Sequence, residues 1–467
     1  MTEQNKKILT SRRAAELIPH LGQEFVAIEN PNYIFAGFDI CPLAPKITDP
    51  RKKIVAVVQD MDGTTTTTEA LCLHSLEYMV RCFTGRMHKD DWKGLDHEKD
   101  YPHIIGNSTT KHVEYLIRTY NADLDLKFFR RAYLRTSLLS LAFGRDKGRK
   151  REALANLKYF GVENVVSDPR VARWFENAKR STKIFFPEEL EKDFQNWTKK
   201  IDLKSFNDLV RAAIEVYYQR YHEILFKIEN NDTADLTELI PAGHKSFIEP
   251  MPGVAIFLAT IKGWLGEELM LLADDLVASL ERNSSIEIHN EKMEKLQEEL
   301  KSIGKYFQLN PVKTAVVTSS IFYEADIVLT QVFEVMRKEV RNWRVSENIK
   351  KIVIDKFNNY ASVFDEVITA SDSSEIRLKP HRDLYSLALH RLGIDKRDYD
   401  NVIGFEDSES GTIAIRAAGI GLCVAVPFAD TKGHELTYAS YILHGGLPEA
   451  MAIHNFFLTN NTIEDLI

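Results

Sequence analysis

Two kinds of apolar spacing alternate along the chain. Residues 54–59 (IVAVVQ) form a short, β-branched and almost wholly apolar run bounded by Lys53 and Asp60, a pattern that predicts a strand buried in a parallel sheet covered on both faces. Runs of the same kind return at 314–318 (TAVVT), 401–405 (NVIGF) and 421–427 (GLCVAVP), with helix-period stretches such as 383–392 and 411–418 among them. Strands alternating with helices predict an α/β core, doubly wound, mostly parallel and Rossmann-like.

From residue 69 to about 249 the spacing is mainly helical. Leu203, Phe206, Val210, Ala213, Tyr217, Tyr221, Ile224 and Ile228 fall on one stripe of a long helix. This predicts a helical cap domain (69–249) inserted after the first core strand, with the core formed by 46–68 and 250–467; Pro250, Pro252 and Gly253 punctuate the return. Residues 1–45 form an N-terminal extension whose pattern shows no role. A second, charged helical insertion spans about 266–305, where Met293, Leu296, Leu300 and Ile303 make an apolar seam too short for a dimerising coiled coil and better suited to a surface hairpin. The basic run Arg145, Lys147, Arg149, Lys150, Arg151 reads as a solvated helix start rather than a nucleic-acid patch.

Composition narrows the functional classes. A chain of 467 residues exceeds what one core needs, and 44% hydrophobic with 27% charged residues is ordinary for a folded, soluble protein. The net charge of -8 gives no general attraction to nucleic acid or anionic membranes, so an anionic substrate must be held by local cations or a metal. Cys41, Cys72, Cys82 and Cys423 are scattered without a C-x-x-C pair, which suggests neither a disulfide framework nor a zinc cluster. No signal-like or bilayer-length apolar run is present, and a cytoplasmic location is the expectation.

The chemistry concentrates at predicted strand ends. In VVQDMDGTTTTTE, Asp60 and Asp62 sit where an α/β sheet binds ligands, and Gly63 frees the backbone to turn. Thr318 and Ser319 follow the strand TAVVT, Lys379 lies in RLKPHRD, and Glu406 with Asp407 in GFEDSESG. Taken singly these read as a polar turn, a helix N-cap, a surface lysine and a charged turn. In that order on four strand ends, with PMPGV, FDEVITASD, LKPHRDLYSLALHRLGI and FEDSESGTIAIRAAGI, the chain resembles the haloacid dehalogenase superfamily of phosphohydrolases, in particular the β-phosphoglucomutase and phosphoglycolate phosphatase branch. The resemblance covers 54–69 and roughly 249–444, and the cap matches only in position and helical character.

The resemblance implies a Mg2+-dependent phosphatase acting on a small-molecule phosphate ester. Asp60 would be the nucleophile carrying an aspartyl-phosphate, Asp62 the acid and base, Lys379 the fixed cation, and Thr318 a hydrogen-bond donor to a phosphoryl oxygen. Magnesium would be held by Asp60, the carbonyl of Asp62, Asp407 and Glu406, and Thr64 and Ser319 would line the substrate. In the cap, GLDHEKDYPHIIGNSTTKHVEYL lies where related caps present a substrate-reading loop, which makes His103, Asn107 and Lys111, with His97, Lys99 and His112, candidates; each also reads as a surface residue. Thr67 replaces an aspartate of the related mutases and Cys72 a histidine, and the polar threonine run is expected to admit water, so phosphatase is favoured over phosphomutase. An aspartate-phosphorylated signalling protein without turnover is the reading from another class, disfavoured by the second acid at Asp62 and by the inserted cap. No nucleic-acid or membrane partner is expected, and oligomeric state is not legible.

Overall fold

The structure is a computed structural model and describes residues 8–459 except 31–34, 107, 241–242, 287, 290–291, 373–376, 429–430 and 432. The chain divides into two compact units, one of residues 1–65, 250–319 and 333–467, the other of 66–249 and 320–332.

The first unit is built on a sheet of six strands among the described residues. These are β3 (Ala56–Asp60), β4 (Lys313–Val317), β5 (Glu366–Ile368), β6 (Val402–Glu406), β7 (Leu422–Ala425) and β8 (Tyr441–Ile442). They lie in the order β5-β4-β3-β6-β7-β8, and every pairing is parallel. All of β3, β6 and β7 is buried, as continuous apolar runs in a covered parallel sheet require. Ala56, Val58, Ala315 and Val317 pack with Leu384, Ala388, Ala414 and Ile415 from the helices Asp383–Arg391 and Glu409–Ala417. This is a doubly wound α/β core.

The N-terminal residues also belong to this unit. β1 (Glu24–Glu29) and β2 (Phe38–Leu43) form an antiparallel pair that lays Val26, Ile28 and Leu43 on Ile413 and Ala417. Arg416, fully buried, donates to the carbonyls of Ala44 (3.0 Å) and Tyr438 (3.1 Å) and to the Glu24 carboxylate (2.6 Å). A two-stranded ribbon is marginal alone, so this helix face supplies its stability.

The charged insertion resolves into a 3-10 segment Gly266–Leu272 and the helices Ala273–Asn283 and Met293–Leu309. Leu296, Leu300 and Ile303 are buried within the unit, and a Cβ on Gly304 would lie 1.9 Å from the carbonyl oxygen of Gly266. The seam therefore closes on its own chain. Nearby, burial raises the Glu339 carboxyl to about 6, helped by Asp275 and opposed by Trp343 and Arg282. A raised acid makes the folded state bind protons more tightly, so its contribution falls as pH rises from the ordinary value through 6. Glu339→Gln is thus expected to stabilise the protein at pH 7.5 by about 1 kcal/mol, discounted for residual solvent contact, with no gain at pH 4. Denaturant melts at the two pH values test this.

The second unit is helical. Glu69–Thr84, Leu126–Phe143 and Phe206–Glu229 enclose a core of Leu76, Met79, Phe129, Tyr133, Ala213 and Val216. The predicted stripe is buried from Val210 to Ile228, but Leu203 precedes the helix, which begins at a capping box of Ser205 and Asp208. Arg149 corrects the solvated reading of the basic run: its side chain is only 12% exposed, lies over Tyr218 (4.1 Å to the ring centroid) and pairs with Glu215 at 3.1 Å. Burying a guanidinium costs too much unless it is paired, and Glu215, 66 residues away, supplies the partner. Among the described residues no helix is long and apolar enough to cross a membrane.

Candidate active site

Strand alternation and register bring the predicted residues of the α/β unit to one edge. Along β3, Ala56, Val58 and Asp60 share one face while Val57 and Gln59 take the other. Asp60 is in register with Val317 of β4, and Gln59 with Phe405 of β6, so Thr318 and Glu406 emerge beside Asp60 at the carboxyl ends of the strands. That edge is where open α/β sheets place their ligands.

The turn after β3 is fixed by close contacts. Gly63 has φ +85°, and a Cβ there would lie 2.7 Å from Phe428 Cε1 and 2.8 Å from Asp407 Oδ2, so both the backbone and the space demand glycine. Thr64 Oγ1 donates to Asp407 Oδ1 at 3.2 Å. Thr65 Oγ1 donates to the Asp60 carbonyl and accepts Gln59 Nε2 at 2.7 Å. Thr64, Thr65, Thr66 and Thr68 are buried. The hydroxyl of Thr67 accepts from the Glu249 N–H (2.9 Å) and donates to the Glu249 carbonyl (3.2 Å), tying together the two ends of the 66–249 segment. Apart from the half-buried Thr67, the run is buried, and the hydroxyls of Thr64, Thr65 and Thr67 meet groups of the protein. These hydroxyls serve backbone groups and the Asp407 carboxylate.

Lys379 sits at the centre. Its ammonium pairs with Asp60, donates to Glu406 Oε1 at 2.6 Å and reaches the Val317 carbonyl at 3.3 Å, with its side chain only 8% exposed. Burial alone would lower its pKa, but the carboxylates of Asp60 and Glu406 outweigh burial and hold it above the ordinary lysine value. Lys379 is a permanent cation.

Glu406 anchors that cation. Oε1 also accepts Tyr385 OH at 3.2 Å, while Oε2 accepts the N–H of Asp407 (3.1 Å), the N–H of Ser408 (3.2 Å) and Ser408 Oγ (3.0 Å). A Cβ on Gly411 would fall 1.8 Å from the Glu406 carboxyl carbon, so the helix Glu409–Ala417 must present a glycine to make room. Asp60 is pushed well above the usual carboxylate range by burial, against the pull of Lys379 and with the push of Glu406 and Asp62. Two carboxylates share one ammonium, and Asp62 and Asp407 beside them leave excess negative charge.

That excess is the test for a metal. Carboxylate oxygens of Asp60, Glu406 and Asp407 all lie within 4.8 Å of one another, and all three residues are buried. Hard oxygen donors at this spacing suit a small divalent cation, and positive charge here would return Asp60 to its ionised form. Glu406 already meets Lys379, Tyr385, Ser408 and two backbone N–H groups, so Asp60 and Asp407 are the better-placed donors.

Asp62 is half-buried and accepts Thr318 Oγ1 at 3.1 Å, and Ser319 is half-buried beside Thr318. Asp60, Asp62, Thr64, Thr318, Ser319, Lys379, Glu406 and Asp407 thus all belong to one unit. His103 and Lys111 belong to the helical unit, where both are exposed and His103 stacks on Tyr115 at 4.5 Å. Asn107 lies outside the described residues. Sequence reasoning missed Tyr385, Ser408 and Gly411, which set the Glu406 carboxylate. All three stand in the quoted motif phrases, but their typical reading is an aromatic core residue, an N-cap and a helix-weakening glycine.

Neither a family model nor a curated protein matches the sequence. Solved structures do. CbbY from Rhodobacter sphaeroides in complex with phosphate is 14% identical, with 87% of this chain and 100% of that chain covered and a TM-score of 0.38. A Thermotoga maritima protein provisionally named a β-phosphoglucomutase is 14% identical over 89% of this chain and 100% of its own, with a TM-score of 0.35. A HAD family hydrolase from Deinococcus radiodurans R1 with bound phosphate and sodium is 13% identical over 88% and 99%, with a TM-score of 0.35. Each of these is a likeness in fold to a solved structure, at 13–14% identity.

Proposed function

We propose that this chain is a magnesium-dependent phosphatase that hydrolyses a small-molecule phosphate monoester through an aspartyl-phosphate on Asp60. The observation that supports it most is the buried Lys379 ammonium held between Asp60 and Glu406, with Asp407 close enough to share a cation with Asp60. Phosphoryl transfer needs positioning and fixed positive charge more than covalent machinery from the protein.

In this reading an oxygen of Asp60 attacks phosphorus while the bond to the leaving alkoxide breaks. Asp62 gives the alkoxide a proton, then takes one from the water that attacks the phosphorylated Asp60, which restores both carboxyls. Thr318, hydrogen-bonded to Asp62 Oδ2 in the structure, orients that acid and can turn its hydroxyl to a phosphoryl oxygen. Lys379 holds the equatorial charge, and Glu406 keeps Lys379 in place. Magnesium, held by Asp60, the Asp62 carbonyl and Asp407, would neutralise the dianion against the carboxylates. Glu406 serves as the anchor of Lys379 rather than as a principal metal ligand, and Thr64 acts by holding Asp407. Ser319, His103, Asn107 and Lys111 remain proposed substrate contacts.

A phosphomutase of the β-phosphoglucomutase type is the second reading, and the burial of Thr64, Thr65, Thr66 and Thr68 after β3 favours it, since a mutase must keep water from its phosphoenzyme. The phosphatase stays ahead because Thr67 and Cys72 stand where the related mutases carry an acid and an imidazole. One reaction separates them. With glucose 1-phosphate and magnesium, free phosphate should exceed the 6-phosphate isomer, and isomer in excess would reverse the choice. Hydrolysis of p-nitrophenyl phosphate should disappear in excess chelator and return with magnesium, and full turnover in chelator would remove the metal from the reading.

A further inference from the structure

A cavity of about 230 Å³ opens in the α/β unit beside the turn after β3. Its described lining includes none of Asp60, Asp62, Thr318 and Lys379. Met251, Pro252, Val426, Phe428 and Leu447 make apolar walls, and Gly63 and Thr64 close one side. The volume is below the roughly 300–1,000 Å³ of a site for a drug-sized molecule. It suits a small ligand.

Two polar groups set the sign of that ligand. Arg282, exposed in the last turn of the helix Ala273–Asn283, spends its Nε on the Ala278 carbonyl (3.1 Å), and its terminal nitrogens have no hydrogen-bond partner among the described residues. His444, exposed just after β8, also lines the cavity and offers an N–H in either tautomer. No aspartate or glutamate is in the described lining. The nearby Glu449 accepts the Gly445 N–H at 2.8 Å and meets His454 at 3.7 Å, with His444 a further, weaker charge partner. Apolar walls with a guanidinium, an imidazole and no acid among the described lining residues match an anion carried on an apolar body.

The cavity also touches the catalytic turn from behind. Phe428 from the cavity wall and Asp407 from the site crowd the same glycine, with Phe428 Cε1 2.7 Å and Asp407 Oδ2 2.8 Å from where a Cβ of Gly63 would stand. Thr64, which lines the cavity, holds Asp407 through its hydroxyl. A ligand packed on Phe428 would restrain Gly63 and keep Asp407 in its bonded position.

We infer that this cavity is a binding site for a small carboxylate with an apolar or aromatic body, and that its occupancy is linked to cation binding at Asp407. The link rests on the proposed metal role of Asp407, whereas the site itself rests on the cavity alone. Linkage is reciprocal, so the carboxylate must tighten magnesium by the factor that magnesium tightens the carboxylate.

The test is a fluorine NMR titration of 4-fluorobenzoate against the full-length protein, with neutral 4-fluorobenzamide in parallel. Saturable binding of the benzoate is expected, with the benzamide weaker and Arg282→Ala lowering affinity by about fivefold, the upper range for one exposed ion pair. His444→Gln, also at an exposed position, should weaken it as well. Added magnesium should shift the benzoate midpoint by about fivefold or more. Absence of saturable binding, equal binding of the benzamide, or unchanged affinity in both variants would overturn the site; an unmoved midpoint with magnesium would overturn the link. Because the readout needs no turnover, a protein that binds benzoate yet releases no phosphate would refute the phosphatase reading alone.

Discussion

Asp60→Asn is expected to abolish phosphate release, by roughly 10⁴-fold or more, the scale seen when a covalent nucleophile is removed. Asparagine keeps the shape of the side chain and an oxygen that can accept from Lys379, but its amide cannot carry the phosphoryl group. Asp62→Asn leaves the nucleophile in place and removes the proton carrier, so it should slow both half-reactions and still allow Asp60 to be labelled with a good leaving group. Acid-quenched protein digested for mass spectrometry should therefore show phosphate on Asp60 in the wild type and in Asp62→Asn, and none in Asp60→Asn. A label on another residue would sink the assignment. The substitution should not unfold the protein: burial and the neighbouring carboxylates raise the Asp60 carboxyl, so removing that charge relieves repulsion in the cation-free state. An unchanged or raised thermal midpoint is the expected control.

How much of this site could be read from the residues follows from where each one finds its partner. The strands β3, β4, β6 and β7 fall within one or two residues of the apolar runs that announce them, because a strand buried on both faces leaves an unbroken apolar signature. The short β5 and β8 leave no such run; pairing with longer neighbours defines them. The β1–β2 ribbon was opaque because its reason for existing, the surface of helix Glu409–Ala417 with Arg416 at its centre, lies nearly 400 residues away. Arg149 misled for the same reason. Polar residues report on the motif order well, but their hydrogen bonds are long-range facts, as the threonine run shows: five identical residues serve a carbonyl, a carboxylate and a chain crossing.

The same contrast applies to the core motifs. Asp60 and Asp62 could be placed because a strand end and a glycine turn are local signals, whereas the division of labour between Glu406 and Asp407 was not legible. Two adjacent acids look equivalent in the sequence. Only the packing of Tyr385, Ser408 and Gly411 around Glu406 separates an anchor from a residue facing the proposed cation.

Lys379→Met should lower the rate by about a hundredfold or more, the scale for losing one preorganised charge at a transition state. Methionine has nearly the length of lysine without its charge, so the effect isolates electrostatics from cavity formation. It should also cost stability, by about 3–5 kcal/mol, because breaking a buried ion pair leaves Asp60 and Glu406 facing each other without their cation. The pH dependence follows from that pair. Once the ammonium is gone, Asp60 loses the partner that opposes its burial, so its raised carboxyl rises further and the variant loses stability as pH increases. The deficit against wild type should be small near pH 5 and largest near pH 8, measured by denaturant melts at both. Lys379→Arg should recover part of the stability, since it restores a cation, but little of the rate, because the buried pocket holds one ammonium between Asp60, Glu406 and the Val317 carbonyl and a planar guanidinium cannot reproduce those directions. A Lys379→Met protein with wild-type turnover would show that Lys379 is a structural cation only.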